Sequence, residues 1–349
     1  KGSRAALFGL QGPPRQKLRP AEVPSGIDLH PIERVVDDYE PSTHVIKAAK
    51  GRSSLAAFRD RLITLVYGRE SVLQAPTHVI TDSRQRLIVT DPALPAVHVL
   101  DFKGKNSFRI AGGPRHRLQA PNGVAVDGDD NIYVADGKKG VILVYDPQGQ
   151  FLRYIGSFRG ESLFQSPTGI AIDRNAGHLY VLDSPSHQVI MLDLQGKVIK
   201  KAGDRRNPTR SADYPTEIAL SNQQLVVLDA GSRLQLFDLE CNLLKTFAIR
   251  PVGGPPLLTE LGLALDSYSN IYISNLDGST VRVYSPDGRL LTIWGRQGFG
   301  LQEFDVPSGL WIDSTDRMYV ADTRNSRIQV FQIPNPGGPG IAQAAERNR

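Results

Sequence analysis

The chain has 349 residues, of which 40% are hydrophobic and 22% are charged, a composition typical of a globular protein. Its single cysteine excludes an internal disulfide framework and a cysteine-rich zinc module. The sequence has no apolar run of 18 residues that would predict a membrane span. The net charge of +5 does not indicate a duplex nucleic-acid binder, because residues 61–331 hold 29 Lys or Arg against 28 Asp or Glu.

The N-terminal segment, residues 1–43, is interrupted by several X-Pro steps, including His30-Pro31 and Glu40-Pro41. Such steps favour extended backbone, so we predict either a disordered leader or an extended arm that becomes ordered on a partner. The first residue is Lys, which is compatible with removal of a signal peptide.

Residues 44–68 hold two candidate elements. The segment HVIKAA (44–49) resembles VIKKAG (198–203), which the repeat described next places in a strand, and is therefore predicted to be a strand. Apolar residues then recur at helical spacing from Leu55 to Val66, which predicts a short helix near 54–67. The alternative is a strand over 62–67.

A repeat organises the rest of the chain. Six similar segments, such as QAPNGVAVD (119–127) and DVPSGLWID (305–313), recur 45 to 48 residues apart. Their third residues are Pro76, Pro121, Pro167, Pro215, Glu260 and Pro307. A regular period of this length indicates a repeat architecture.

Each copy continues with two or three further apolar runs that are β-branched and bounded by turn residues, so each copy reads as four antiparallel strands. Six such units predict an all-β, six-bladed β-propeller over 44–333, followed by a Pro- and Gly-rich tail over 334–349. The sixth copy ends after its third strand, so an N-terminal strand must complete it, either 44–49 or 62–67.

The sixth copy, GLWIDSTDRMYVADTRNSRIQVF (309–331), and the third copy (169–193) resemble NHL repeats. The resemblance covers about 44–333 and implies the propeller fold. NHL propellers serve as RNA-binding domains, sensor domains of receptor kinases, protein-binding platforms and an amidating lyase. The arrangement also looks like bacterial NHL proteins found among envelope or electron-transfer proteins, which implies a periplasmic or extracellular location and partners in an envelope or multihaem-cytochrome assembly.

The NHL-type lyase carries zinc-ligating histidines just after the blade-opening proline. Here those positions hold Thr or Ser, except for Asn122, and the seven histidines show no ligand spacing. We therefore predict no metal and no cofactor. Acidic or amide residues that end the second strands could suggest a metal ring, but their position at turns favours a structural role: Asp91, Asp136, Asp183, Asp229, Asn275 and Asp322.

Two positions of the innermost strands break the repeat pattern. Four copies have glycine there, because blades crowd near the axis, whereas the first has His78 and the fourth has Glu217. Blades one and four lie opposite each other in a six-membered ring. His78 and Glu217 are therefore predicted to face each other across one mouth of the channel, with water or a small polar ligand or ion between them.

A second candidate surface lies on the face that carries the connections from each fourth strand to the next blade and the turns between second and third strands, here called the loop face. Its predicted partner-binding residues are basic: Arg115, His116, Arg117, Lys138, Lys139, Arg205, Arg206, Arg210, Arg324 and Arg327. Aromatic residues, which single-stranded RNA binding would use, are nearly absent from the two basic loops, 112–117 and 203–210.

These observations favour a non-catalytic, protein-binding propeller that acts as a scaffold or accessory subunit of a larger assembly. One alternative is a lyase or hydrolase that uses a small ligand or a metal at the channel mouth. The other is RNA binding on the arginine-rich loop face.

Overall fold

The computed structural model describes residues 30–35, 73–101, 107–113, 116–156, 162–203, 214–221, 224–249, 260–276 and 278–333. These residues form six four-stranded antiparallel sheets, each of which is one blade. The innermost strands of neighbouring blades contact one another in the order one to six and back to one. The predicted six-bladed β-propeller is therefore confirmed.

The strands of blade one are His78–Thr81, Leu87–Asp91, Ala96–Leu100 and Phe108–Ile110. Those of blade two are Pro121–Val126, Ile132–Asp136, Val141–Tyr145 and Phe151–Gly156. Those of blade three are Pro167–Asp173, His178–Asp183, Gln188–Asp193 and Val198–Ala202.

The strands of blade four are Pro215–Leu220, Leu225–Asp229, Arg233–Phe237 and Leu243–Ala248. Those of blade five are Glu260–Leu265, Ile271–Asn275, Thr280–Tyr284 and Leu290–Trp294. Those of blade six are Pro307–Ile312, Arg317–Asp322, Arg327–Gln332 and His30–Val35.

The loop face also carries short elements. Two-residue strands form one hairpin, Gly112–Gly113 with His116–Arg117, and one parallel pair, Arg296–Gln297 with Glu303–Phe304. The 3-10 turns Ser184–Ser186 and Thr323–Asn325 follow second strands. In the part of the chain that the structure describes, no helix is long and apolar enough to cross a membrane.

The hydrophobic core is divided into six clusters, one at each interface between adjacent blades. For example, Tyr272 and Val281 of blade five pack against Phe331 of blade six, and Val79 of blade one packs with Tyr319 and Ile328 of the same sixth blade. Because each sheet is covered on both sides, the second strands are buried along their length, as in Leu87–Asp91, Ile132–Asp136 and Leu225–Asp229. The outer strand of blade four, Leu243–Ala248, is largely exposed, whereas that of blade five, Leu290–Trp294, is partly or fully buried.

The ring is closed by an N-terminal strand, as predicted, but the predicted segment was wrong. His30–Val35 pairs antiparallel with Arg327–Gln332, with His30 opposite Gln332. The segment falls within the predicted N-terminal arm, and an outermost edge strand tolerates Pro31 because its backbone nitrogen need not donate to a neighbour. Residues 44–49, the helix predicted near 54–67 and the alternative strand at 62–67 lie outside the described residues.

Candidate functional site

The channel mouth lies at His78, the first residue of the inner strand of blade one. The equivalent position in each other blade is the third residue of the inner strand: Gly123, Gly169, Glu217, Gly262 and Gly309. A Cβ atom added to Gly123, Gly262 or Gly309 would collide with a backbone carbonyl oxygen of the next blade, namely that of Thr168, Ser308 and Thr77 in turn. The glycines therefore allow the inner strands to approach closely, as the sequence predicted.

His78 and Glu217 contact each other directly. The His78 Nε2 atom donates to Glu217 Oε1 at 2.6 Å, across the channel from blade one to blade four. The predicted juxtaposition is therefore present, but the two groups touch, so that neither water nor a ligand separates these two atoms. The side chains of His78 and Glu217 are 22% and 11% exposed, so the pair is partly buried at the channel mouth.

The electrostatics of this pair favour the charged imidazole. Burial lowers the pKa of His78, but the charge of Glu217 and its hydrogen bond raise it more, so the pKa lies above the ordinary value of 6.5. The His78 Nδ1 atom is buried without a hydrogen-bond partner in the described part of the protein. The pair can hold a proton and link opposite blades.

The carboxylates that end the second strands have structural partners. The carboxylate of Asp136 accepts the backbone N–H groups of Gln119 and Ala120, at 2.7 and 3.1 Å, and that of Asp183 accepts those of Gln165 and Ser166. Each therefore ties the chain entering a blade to the second strand of the same blade. Within the described ranges, no cluster of three His, Cys, Asp or Glu residues could hold a metal ion.

The loop face carries some of the predicted basic residues in accessible positions. Arg117 and Lys138 are exposed, Lys139 is partly exposed, and the Arg324 side chain is 69% exposed. The backbone of His116 pairs with Gly113. Arg115, Arg205, Arg206 and Arg210 lie outside the described residues.

Arg327 does not belong to this surface, which corrects the prediction. It is 6% exposed, and its Nε atom donates to Asp322 at 2.8 Å. The other guanidinium nitrogens donate to the carbonyl oxygens of Phe299, Gly300 and Glu303 at 2.7 to 3.0 Å. A buried arginine that satisfies three carbonyl oxygens and a carboxylate organises the loop between blades five and six.

That loop presents apolar side chains that were not among the residues predicted to bind a partner. Phe299 is 65% exposed and Leu301 is 56% exposed, although Asn325 and Arg327 fix the backbone beside them. Arg296 pairs with Glu303 at the base of the loop. The signal was present in the sequence as GFGL (298–301), two large apolar residues each preceded by glycine in an otherwise polar loop.

Tyr214 adds a further exposed aromatic side chain to this face. It is 49% exposed, and its ring lies 4.5 Å from that of His187. Leu276, in the turn after the second strand of blade five, is 38% exposed. The loop face therefore combines cations with separate apolar side chains, a composition found in protein-binding surfaces.

Comparisons with known proteins agree with this architecture. The NHL repeat model matches residues 164–190 and 304–331. NHL repeat-containing protein 2 of Bos taurus is 38% identical over 157 residues, which is 37% of this chain and 22% of that protein. The protein brain tumor of Drosophila melanogaster is 28% identical over 36% of this chain and 12% of its own length. The E3 ubiquitin-protein ligase NHLRC1 of Rattus norvegicus is 23% identical over 38% of this chain and 32% of that protein.

Two solved structures share the fold. A gluconolactonase from Xanthomonas campestris has a TM-score of 0.57 at 19% identity, over 75% of this chain and 88% of its own. A streptogramin B lyase has a TM-score of 0.56 at 13% identity, over 77% and 82% of the two chains.

The matches to NHL repeat-containing protein 2 of Bos taurus and to brain tumor take in only 22% and 12% of those proteins. Since these relatives are eukaryotic, the resemblance to bacterial NHL proteins stays a prediction. The matched repeats and the six sheets together show that this chain carries NHL repeats on a six-bladed β-propeller.

Proposed function

We propose that the chain is a protein-binding propeller that engages its partner through the loop face without catalysing a reaction. The observation that carries this proposal is the loop over 296–304, which Arg327 fixes from below while Phe299 and Leu301 project into solvent. Fixing a loop before binding lowers the entropic cost of association, and exposed aromatic side chains supply binding energy.

Relatives add support of a general kind. One is named as an E3 ubiquitin-protein ligase, whose chemistry acts on other proteins. The role of scaffold or accessory subunit, the periplasmic or extracellular location, and the envelope or multihaem-cytochrome assembly remain predictions from the sequence resemblance.

Site-specific photo-crosslinking in native cells tests the proposal. A photoreactive amino acid is placed at Lys138 or Phe299 on the loop face, and at Asp129 or Tyr268 on the opposite face as matched exposed controls. Protein crosslinks from the loop-face positions, and not from the opposite face, are expected. Crosslinks confined to the opposite face would overturn the choice of surface.

One observation favours a second candidate function, an enzyme at the channel mouth. The His78–Glu217 pair has the donor and acceptor chemistry of a proton-transferring dyad, and both structural neighbours named above are described as enzymes. If this were the function, the wild type would turn over a gluconolactone or a streptogramin B substrate, and Glu217→Gln would abolish that turnover. No turnover by the wild type itself would dismiss it.

A further inference from the structure

An open cavity of about 450 Å³ lies on the loop face, where blade one meets blade two. Its lining residues come from a turn of blade one, its outer strand and the connection to blade two: Leu94, Pro95, Arg109, Ala111, Arg117 and Leu118. This volume is in the range of about 300–1,000 Å³ found for ligand pockets.

The cavity combines an apolar lining with two guanidinium groups. Leu94, Pro95 and Leu118 provide the apolar part, and Leu118 is only 3% exposed. Arg109 and Arg117 are both exposed, and the Arg117 side chain has no hydrogen bond or ion pair with another described residue. A side chain that is held at the rim of a cavity without an anionic partner is positioned to take one from outside.

The described residues beside the cavity add positive charge, and the two acidic residues among the flanking turns are buried. Lys138 and Lys139 lie in the neighbouring turn of blade two. The acidic residues that open the two flanking turns, Asp91 and Asp136, are fully buried and accept backbone N–H groups. Their charge is therefore already satisfied inside the protein.

The backbone around the cavity is fixed. Leu118 N donates to the Ala111 carbonyl oxygen at 3.1 Å, and Gly112 and Gly113 pair with Arg117 and His116. Beyond this hairpin, Asp136 holds the N–H groups of the two residues that lead into blade two. The cavity is thus formed before any ligand arrives.

We propose that this cavity binds a short acidic segment of a partner protein, with an apolar side chain in the cavity and one or two carboxylates on Arg109 and Arg117. This inference rests on the proposed function, because it specifies the chemistry of the partner that the loop face would bind. A small inorganic anion would leave the apolar lining unused, and a neutral peptide would leave Arg117 unpaired. Only a segment with both features satisfies both parts of the lining.

Fluorescence polarisation with defined peptides tests this inference. The first labelled probe carries Asp residues on both sides of a Leu. In two matched probes, the Asp residues are replaced by Asn, or the Leu is replaced by Ser. Binding of the first probe, about tenfold weaker binding of each matched probe, and further weakening by salt are expected.

Three variants locate the binding. Arg117→Glu reverses a rim charge, and Ala111→Trp fills the cavity from an exposed position, so each should weaken the first probe about tenfold. Arg84→Glu makes the same charge change on the opposite face and should leave binding unchanged. A circular dichroism melt confirms that each variant is folded.

Failure of the first probe to bind at millimolar concentration, or equal binding by the wild type and Arg117→Glu, would overturn the inference. Equal affinity for the Asn-containing probe would show that carboxylates are not recognised and would overturn it as well. Loop-face crosslinks in cells that persist in the Arg117→Glu variant would place the partner elsewhere on this face, which refutes the cavity but leaves the proposed function standing.

Discussion

His78 and Glu217 stand at two of the six positions where the inner strands crowd around the axis. At three of the other four, Gly123, Gly262 and Gly309, an added Cβ atom would collide with the backbone of the next blade, so few of these positions accept a side chain. Two such side chains from opposite blades meet at 2.6 Å, although 139 residues separate them in sequence. The pair therefore cross-links blades one and four.

The pair should make the stability of the protein depend on pH. The pKa of His78 is raised by Glu217 above 6.5, so the folded state holds the proton more tightly than the unfolded state does. Its stabilising contribution is fully present below about pH 6.5 and is lost as the pH rises through the raised pKa. We expect His78→Ala to cost roughly 1–3 kcal/mol at about pH 6 and less at about pH 9.

Urea unfolding of the wild type and His78→Ala over this pH range measures the effect. Glu217→Gln is the control, because it keeps an acceptor of similar shape but removes the charge that raises the His78 pKa. In that background burial acts without the opposing charge and lowers the His78 pKa, so the cost of His78→Ala should rise with pH instead of falling. A cost that is independent of pH in the wild-type background would contradict the assignment.

The crowding of the inner strands gives a second prediction. In Gly309→Ala, the new methyl group would collide with the backbone of Thr77 and approach the His78 Cα atom to 2.8 Å. Since backbone cannot move aside cheaply, the substitution should cost about 1–3 kcal/mol in the free energy of unfolding. The matched control is Gly128→Ala, where no atom lies within 4 Å of the added Cβ and almost no change is expected.

At the scale of elements, the closing strand His30–Val35 is the only strand of the sixth blade that the C-terminal repeat does not supply. It covers the edge of Arg327–Gln332, whose backbone groups would otherwise be exposed. Exposed edges invite pairing with other chains. Ring closure and protection from aggregation therefore depend on six residues near the N-terminus.

Two truncations test this dependence. Deletion of residues 1–35 removes the closing strand and should lower the melting temperature and cause aggregation, whereas deletion of residues 1–29 keeps it and should change little. Differential scanning calorimetry and light scattering compare the two. Similar melting of both truncated proteins would show that His30–Val35 does not close the ring.

The loop over 296–304 depends on a single buried arginine. Arg327→Lys keeps the charge, but lysine lacks the planar fork that satisfies Asp322 and three carbonyl oxygens together. We expect a loss of roughly 2–4 kcal/mol in stability, with hydrogen exchange accelerated in residues 298–304. Arg324→Lys, in the same turn but exposed, is the control and should leave exchange unchanged.

The repeat period predicted the fold because every blade presents the same turn residues and apolar runs to its neighbours. Counting copies places blades one and four opposite each other, so the period also predicted that His78 and Glu217 would face each other, but not that they would touch. The closing strand was predicted at the wrong residues because an outermost strand tolerates Pro31, which an inner strand would not. Arg327 was predicted to be exposed because its burial depends on contacts with the loop over 296–304. The exposure of Phe299 depends on the same contact between Arg327 and the loop, and a local sequence pattern does not predict a contact between segments that are distant in sequence.

At the scale of the whole molecule, the two faces of the propeller differ in charge. The opposite face carries turns that begin with aspartates in successive blades, such as Asp146, Asp193 and Asp238, each accepting backbone N–H groups two and four residues on. The loop face exposes Arg117, Lys138 and Arg324, whereas Asp91 and Asp136 beside them are buried. Such a separation of charge orients an acidic partner before contact.

Cation-exchange chromatography of two charge-matched variants tests this polarity. Lys138→Glu with Arg324→Glu alters the loop face, and Arg84→Glu with Lys197→Glu makes the same change in net charge at exposed residues of the opposite face. A negatively charged resin binds the most positive surface, so the loop-face variant should elute at clearly lower salt than its counterpart. Since both variants have the same net charge, a difference reports where the charge lies. Elution of the two at the same salt concentration would show that the propeller has no basic face to offer an acidic partner.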